Sequence, residues 1–171
     1  MDARASSEPE RTFAVNSHRL WLSMPWRRAY TLNIDDLEAA AARVHQVPRR
    51  IRPVSGLARS LTLGTGADVL YVHLNGTLDD LPNVTFADPQ YGRRQAAGSA
   101  LYDQLAADLL AYPVVFVATE LRESLFWQYV ALRDERGSRG VTEHRRRSYL
   151  VTPSLPRDRQ RLLQTYNIVW V

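Results

Sequence analysis

Short apolar runs alternate with helix-forming stretches along most of this chain, and that alternation constrains its fold more than any single motif. "RAYTLNI" (28–34) reads as a buried strand, and "LEAAAARVHQV" (37–47) follows with strong helix propensity. Asp35 and Asp36 stand where that helix needs a cap, and Pro48 closes it. "DVLYVHL" (68–74) is the next strand and "SALYDQLAADLLAY" (99–112) the next helix, stopped by Pro113. "VVFVAT" (114–119) is a continuous apolar run of the kind buried on both faces of a sheet. "ESLFWQYVALRDE" (123–135) is a helix and "RSYLVT" (147–152) a strand. A helix then begins near a Ser154 cap, and "IVWV" (168–171) is a last strand. This order predicts a three-layer α/β fold around a mostly parallel sheet of about five strands.

Ahead of these elements, residues 1–12 are polar and read as a disordered tail, and "SHRLWLSM" (17–24) has helical spacing up to Pro25. Residues 48–67 read as one long irregular connection. Its "GTG" precedes a strand instead of following one, so it reads as a turn and not as a dinucleotide fingerprint. Residues 13–171 are expected to form a single domain.

Ligands of parallel α/β sheets bind beyond the carboxyl ends of the strands. Here those ends carry Asn33 and Asp35, Asn75 and Gly76, Thr119 and Glu120, and Thr152, which makes them the first candidates for a site. His73 lies two residues before Asn75. On a continuous strand the two share a face, with His73 about 6–7 Å farther back. It reads as a buried or supporting histidine, and as the base itself only if the strand bulges.

The absence of cysteine excludes disulfides, a thiol nucleophile and any cysteine-ligated metal. The four histidines, at 18, 45, 73 and 144, have no metal-ligand spacing, so no metal is expected. No apolar run approaches the ~20 residues that span a bilayer, and the N-terminus lacks the apolar core of a signal peptide, so no membrane partner and a cytoplasmic location are expected. The net charge of +4 rests on 22 arginines with no lysine, a bias that looks like codon usage. "HRRR" (144–147) reads first as a solvated loop. A nucleic-acid-binding module using Arg145, Arg146 and Arg147 is the weaker alternative, because the interleaved aromatics of single-strand binders are lacking.

"TLNID" (31–35) resembles the T-x-N-x-D strand end of the sirtuin-like family of NAD-consuming domains. The order that follows strengthens the likeness. "YVHLNG" (71–76) stands where the family has an apolar strand ending in His and Gly, and "VATEL" (117–121) where it has a Gly-Thr-Ser-Leu-like turn. "RESLFWQYV" (122–130) matches the amphipathic helix of the zinc-free bacterial branch. The resemblance runs from about Tyr30 to Val171 and implies a Rossmann-like fold of sirtuin type.

It also implies that NAD is bound as a substrate and its nicotinamide–ribose bond cleaved through an oxocarbenium-like transition state, with transfer to water in the hydrolysing branch. In bacteria that branch serves as an anti-phage effector joined to a sensor domain or partner protein; a homo-oligomer is a further expectation. Carried over, Asn33 contacts the nicotinamide-side ribose and the attacking water, and Asp35 lies near the nicotinamide. Thr31 and Gly76 belong to the same cofactor-binding strand ends, and Thr119 lies near the ribose and phosphates.

The chain departs from the family pattern at three places. Aligned on Gly76, the family's catalytic histidine falls on Asn75, whose amide has no basic lone pair to take a proton. The family's opening strand and Gly-Ala-Gly loop have no counterpart before Tyr30, so truncation at one or both ends is expected. Glu120 stands where the family has a small hydroxyl. A catalytically inert sirtuin-like interaction domain is therefore the alternative reading.

Overall fold

The computed structural model describes residues 19–55, 68–81, 84–136 and 145–171. Two compact units divide the chain, Met1–Gln90 and Tyr91–Val171, each with its own three-stranded parallel sheet. The fold is α/β and Rossmann-like, as the alternation of elements requires. Its described strands number six, in two sheets of three, where one sheet of about five was expected.

In the first unit, α1 is helical through 19–23, and β1 (Arg28–Thr31) leads into α2 (Leu37–His45). β2 (Arg50–Val54) and β3 (Asp68–His73) complete a sheet of order β1-β3-β2. β3 is central because both of its faces are apolar: Val69, Leu70 and Val72 are all buried. Its register places His73 opposite Thr31 of β1 and Val72 opposite Val54 of β2. β2 lies in the stretch read as irregular connection. Its arginines and Pro53 hide the strand pattern, and both are tolerated because, among the described residues, β2 is an edge strand paired with β3. The "GTG" and the rest of 56–67 lie outside the described residues, as do 1–18 with the expected disordered tail.

α2 begins at Leu37, directly after the two aspartates, as the sequence suggests. Asp36 is the N-cap residue but makes no side-chain cap bond, while Asp35 Oδ1 accepts from the Leu37 amide at 3.3 Å. Gln46, at φ 48°, ends the helix in the left-handed region two residues before Pro48.

After the 3-10 turn Leu78–Asp80, α3 (Asp88–Ala97) spans a stretch in which the sequence showed no element. It carries no apolar stripe to betray it, and Pro89 fits its first turn. α4 (Ala100–Ala111) starts at Ser99, whose hydroxyl faces the Tyr102 amide at 3.5 Å.

β4 (Val115–Val117), α5 (Ser124–Arg136), β5 (Ser148–Val151), α6 (Arg157–Thr165) and β6 (Ile168–Trp170) complete the second unit, with strand order β4-β5-β6. β4 is not buried on both faces as its apolar run suggested. Phe116 is buried and meets Phe126 of α5 edge-on at 6.1 Å, whereas Val117 is 50% exposed. β5 alternates in the same way, with Ser148 and Leu150 buried and Tyr149 and Val151 exposed. Ser154 does not cap α6; that place falls to Pro156, whose carbonyl accepts from the Gln160 amide at 2.9 Å.

Candidate functional site

The carboxyl ends of the three strands of the first unit surround a cavity of about 480 Å³. Each strand delivers a different loop to it. β1 runs into Ile34, Asp35 and Asp36; β2 into Ser55; β3 ends at His73 and continues to Thr77 and Asp80. Backbone bonds tie the loops together: Leu74 N donates to Thr31 O at 2.9 Å and Leu78 N to Ile34 O at 3.2 Å.

β3 stops at His73 because the chain turns there. The Gly76 amide closes back on the His73 carbonyl at 3.2 Å, and Gly76 has φ 89°, a conformation that L side chains rarely adopt. Asn75 therefore lies in a turn, and the strand geometry that put it on one face with His73 does not reach it. Asn75 is buried, with its Nδ2 donating to Leu32 O at 3.3 Å. His73 lines the cavity; Asn75 is not part of that lining.

His73 is 1% exposed and held at both ring nitrogens. Nδ1 lies 3.0 Å from the Asn33 carbonyl and Nε2 lies 2.9 Å from Glu38 Oε1, itself buried on α2. A carbonyl oxygen only accepts, so Nδ1 carries a proton. Burial alone pulls the pKa of this ring down. The Glu38 hydrogen bond, the Asn33 carbonyl and the charges of Glu38 and Asp35 outweigh it, and the net shift is upward. His73 therefore takes up its second proton more readily than a free histidine, and in that form both ring nitrogens donate. Beside it, burial and then the charges of Glu38 and Asp35 push the Tyr71 phenol up to about 12, against a hydrogen bond with Thr31.

Asn33 is exposed, and its amide donates to Thr31 Oγ1 at 3.0 Å. Thr31, Asn33, Asp35, His73, Asn75 and Gly76 thus belong to two adjoining strand ends of one unit. Thr119 belongs to the second unit, where its Oγ1 accepts from the Leu121 amide at 3.0 Å between two left-handed residues, Ala118 and Leu121. Arg159 donates to the Leu121 and Glu120 carbonyls, and Trp127 Nε1 donates to that of Leu121 at 2.5 Å. The carboxylate of Glu120 pairs with Arg122 at 2.5 Å, so its charge is partly neutralised. Arg145 is not a solvated loop arginine: it is buried, bonded to Asp134 at 3.3 Å and stacked over Tyr166.

The sequence pointed to Asp35 but missed the other carboxylates of the cavity, Asp36, Glu38, Asp79 and Asp80. Asp80 is fixed by Thr77 N at 2.7 Å, Thr77 Oγ1 at 3.0 Å and Ser55 Oγ at 3.0 Å. The available signals were the "LDD" just past the glycine turn and the lone acid, Glu38, before an alanine run. Among the described residues no group of three or more His, Asp or Glu is arranged to hold a metal ion, and no helix is long and apolar enough to cross a membrane.

Parallel strands whose carboxyl ends enclose a polar cavity define an α/β ligand-binding domain of Rossmann-like type. The family described as SIR2-like domain matches residues 27–171, and the chain belongs to it. It is accordingly a sirtuin-like domain of NAD-binding type. A search of curated proteins found no match. The five carboxylates of the cavity suit hydroxyl donors and cationic groups and oppose a diphosphate.

Proposed function

We propose that this domain hydrolyses NAD at the nicotinamide–ribose bond. The observation that carries the reading is the acidic cavity at the carboxyl ends of β1, β2 and β3. In the reaction the C1′–N1 bond breaks, its electron pair passes to the nicotinamide nitrogen, and positive charge develops on the ribose. Fixed negative charge around that centre lowers the barrier. The water oxygen bonds to C1′ and its proton leaves to a cavity carboxylate or to solvent.

Asn33 orients the ribose and the water, and Asp35 and Thr31 hold the nicotinamide end, while Asn75 and Gly76, outside the cavity lining, form the turn that carries the chain from β3 to Thr77 and Asp80. His73, with both ring nitrogens donating, supports the site without acting as its base. We further read the domain as the effector of a bacterial anti-phage protein, coupled to a sensor domain or partner. That extension rests on the family resemblance alone.

The test is nicotinamide release from millimolar NAD by the full chain, followed chromatographically. Release that disappears in Asn33→Ala with an unchanged circular dichroism melt supports the reading, and no release overturns it. A second reading, an inert interaction domain, is favoured by one observation: neither Asn75 nor the doubly bonded His73 offers a free basic nitrogen. Calorimetry with NAD separates the two: a domain that hydrolyses NAD binds it, and an inert interaction domain shows no heat of binding.

A further inference from the structure

Three elements meet in one buried chain of hydrogen bonds. Glu38 of α2 holds His73 of β3, and His73 holds the carbonyl of Asn33 in the loop leaving β1. We propose that Glu38 is a positioning residue of the NAD site, acting through His73 to fix the loop that carries Asn33 and Asp35. The assignment of a ligand rests on the hydrolase reading above; the mechanical part does not.

The geometry supports it at each link. Glu38 and His73 are 4% and 1% exposed, so the bond between them is buried, and the bond from His73 to the Asn33 carbonyl is part-buried. Asn33 and Asp35 are themselves exposed, and an exposed loop needs an internal anchor to hold two side chains at a fixed place. Local bonds from Asn33 N to Thr31 Oγ1 and from Leu37 N to Asp35 Oδ1 shape the loop, but they come from its own neighbours in sequence. The His73 bond crosses from another strand, between the bonds that Asn75 Nδ2 makes to Leu32 O and Leu78 N to Ile34 O, and is the one of the three that a charge controls.

Charge sets which way the ring donates. The carboxylate of Glu38 draws a proton to Nε2 while the Asn33 carbonyl holds one on Nδ1. The other charged or titratable groups around the cavity that His73 lines are Asp35 and Asp36 on the loop, the Tyr71 phenol at 5.6 Å between ring centroids, and Asp79 and Asp80. Replacing Glu38 with glutamine keeps the shape and a hydrogen-bonding group but removes the charge. The ring then keeps its proton on Nδ1 and loses the one on Nε2 near neutral pH.

The experiment uses the full chain and its Glu38→Gln variant. Two-bond nitrogen–proton spectra report the protonation of His73 directly. Wild type is expected to keep both ring nitrogens protonated to a higher pH than the variant, in which Nε2 loses its proton first. Hydrogen exchange of the amides of residues 32–36, corrected for intrinsic pH dependence, is expected to speed up by about tenfold in the variant. A His73 signal that does not change, or exchange that does not change, overturns the positioning role. If the variant does not fold, wild type raised through the deprotonation of His73 must show the same acceleration, and its absence is equally decisive. NAD affinity by calorimetry then separates the two readings. Wild type that binds NAD with a variant at least about tenfold weaker supports the assignment to this ligand. Equal affinity overturns the assignment. Wild type that does not bind overturns the hydrolase reading, and the exchange data still decide the anchor.

Discussion

A histidine that donates from both ring nitrogens is fastened, and that is what residue-level geometry says of His73. Its pKa is raised on folding, so it binds protons more readily in the folded chain. The stabilisation is fully present below the ordinary histidine value of 6.5 and is lost as pH rises through the raised value of the folded protein. Urea unfolding from pH 6 to 9 is expected to show that decline, and His73→Gln to flatten it. His73→Ala leaves Glu38 buried without its partner, and a loss of about 3–5 kcal/mol is expected in the same assay. Sequence alone leads to the two strand ends and to Asn33, Asp35 and His73. It does not lead to Glu38, because a glutamate ahead of four alanines looks like any helix former. Only the pairing of β1 with β3 brings residues 38 and 73 together.

Elements were legible where their pattern was local. β1, β3, α4, α5 and β5 follow from runs of apolar residues with the right period. β2 did not, because Arg50, Arg52 and Pro53 conceal it, and α3 did not, because it has no buried stripe. The turn after β3 escaped as well, since its glycine was read as a strand end when its φ of 89° makes it a hinge of the chain. Gly76→Ala adds a Cβ 3.3 Å from Asp80 Oδ2 as well as an unfavourable φ, and a loss of about 1–3 kcal/mol is expected by chemical denaturation. The Arg133–Asp103 pair between α4 and α5 is a contrasting case. Its carboxylate accepts two hydrogen bonds, yet the two side chains are 36% and 38% exposed. Asp103→Asn is expected to change stability by less than about 1 kcal/mol, and less still in high salt.

At the scale of the molecule, alternation of helix and strand fixed the α/β class, but strand order did not follow from it: β1 pairs with β3 and not with β2, whereas β4, β5 and β6 pair in sequence order. Bulk charge is a poor guide to any one site: a chain of net charge +4 carries a cavity lined by five carboxylates. It misleads about Arg145 too. Arg145→Ala is expected to cost about 1.5–3 kcal/mol through its buried bond to Asp134 and to leave the salt elution from heparin unchanged. Arg146→Ser with Arg147→Ser is expected to lower the elution salt and leave the melt unchanged. The acidic lining also bears on how an inhibitor would be found. Small protonated rings, such as cyclic amines bearing hydroxyls, enter with the field, and carboxylated or phosphorylated mimics enter against it. A screening collection rich in acids would therefore return nothing from this cavity, and one run at high ionic strength would under-rank the amines that suit it.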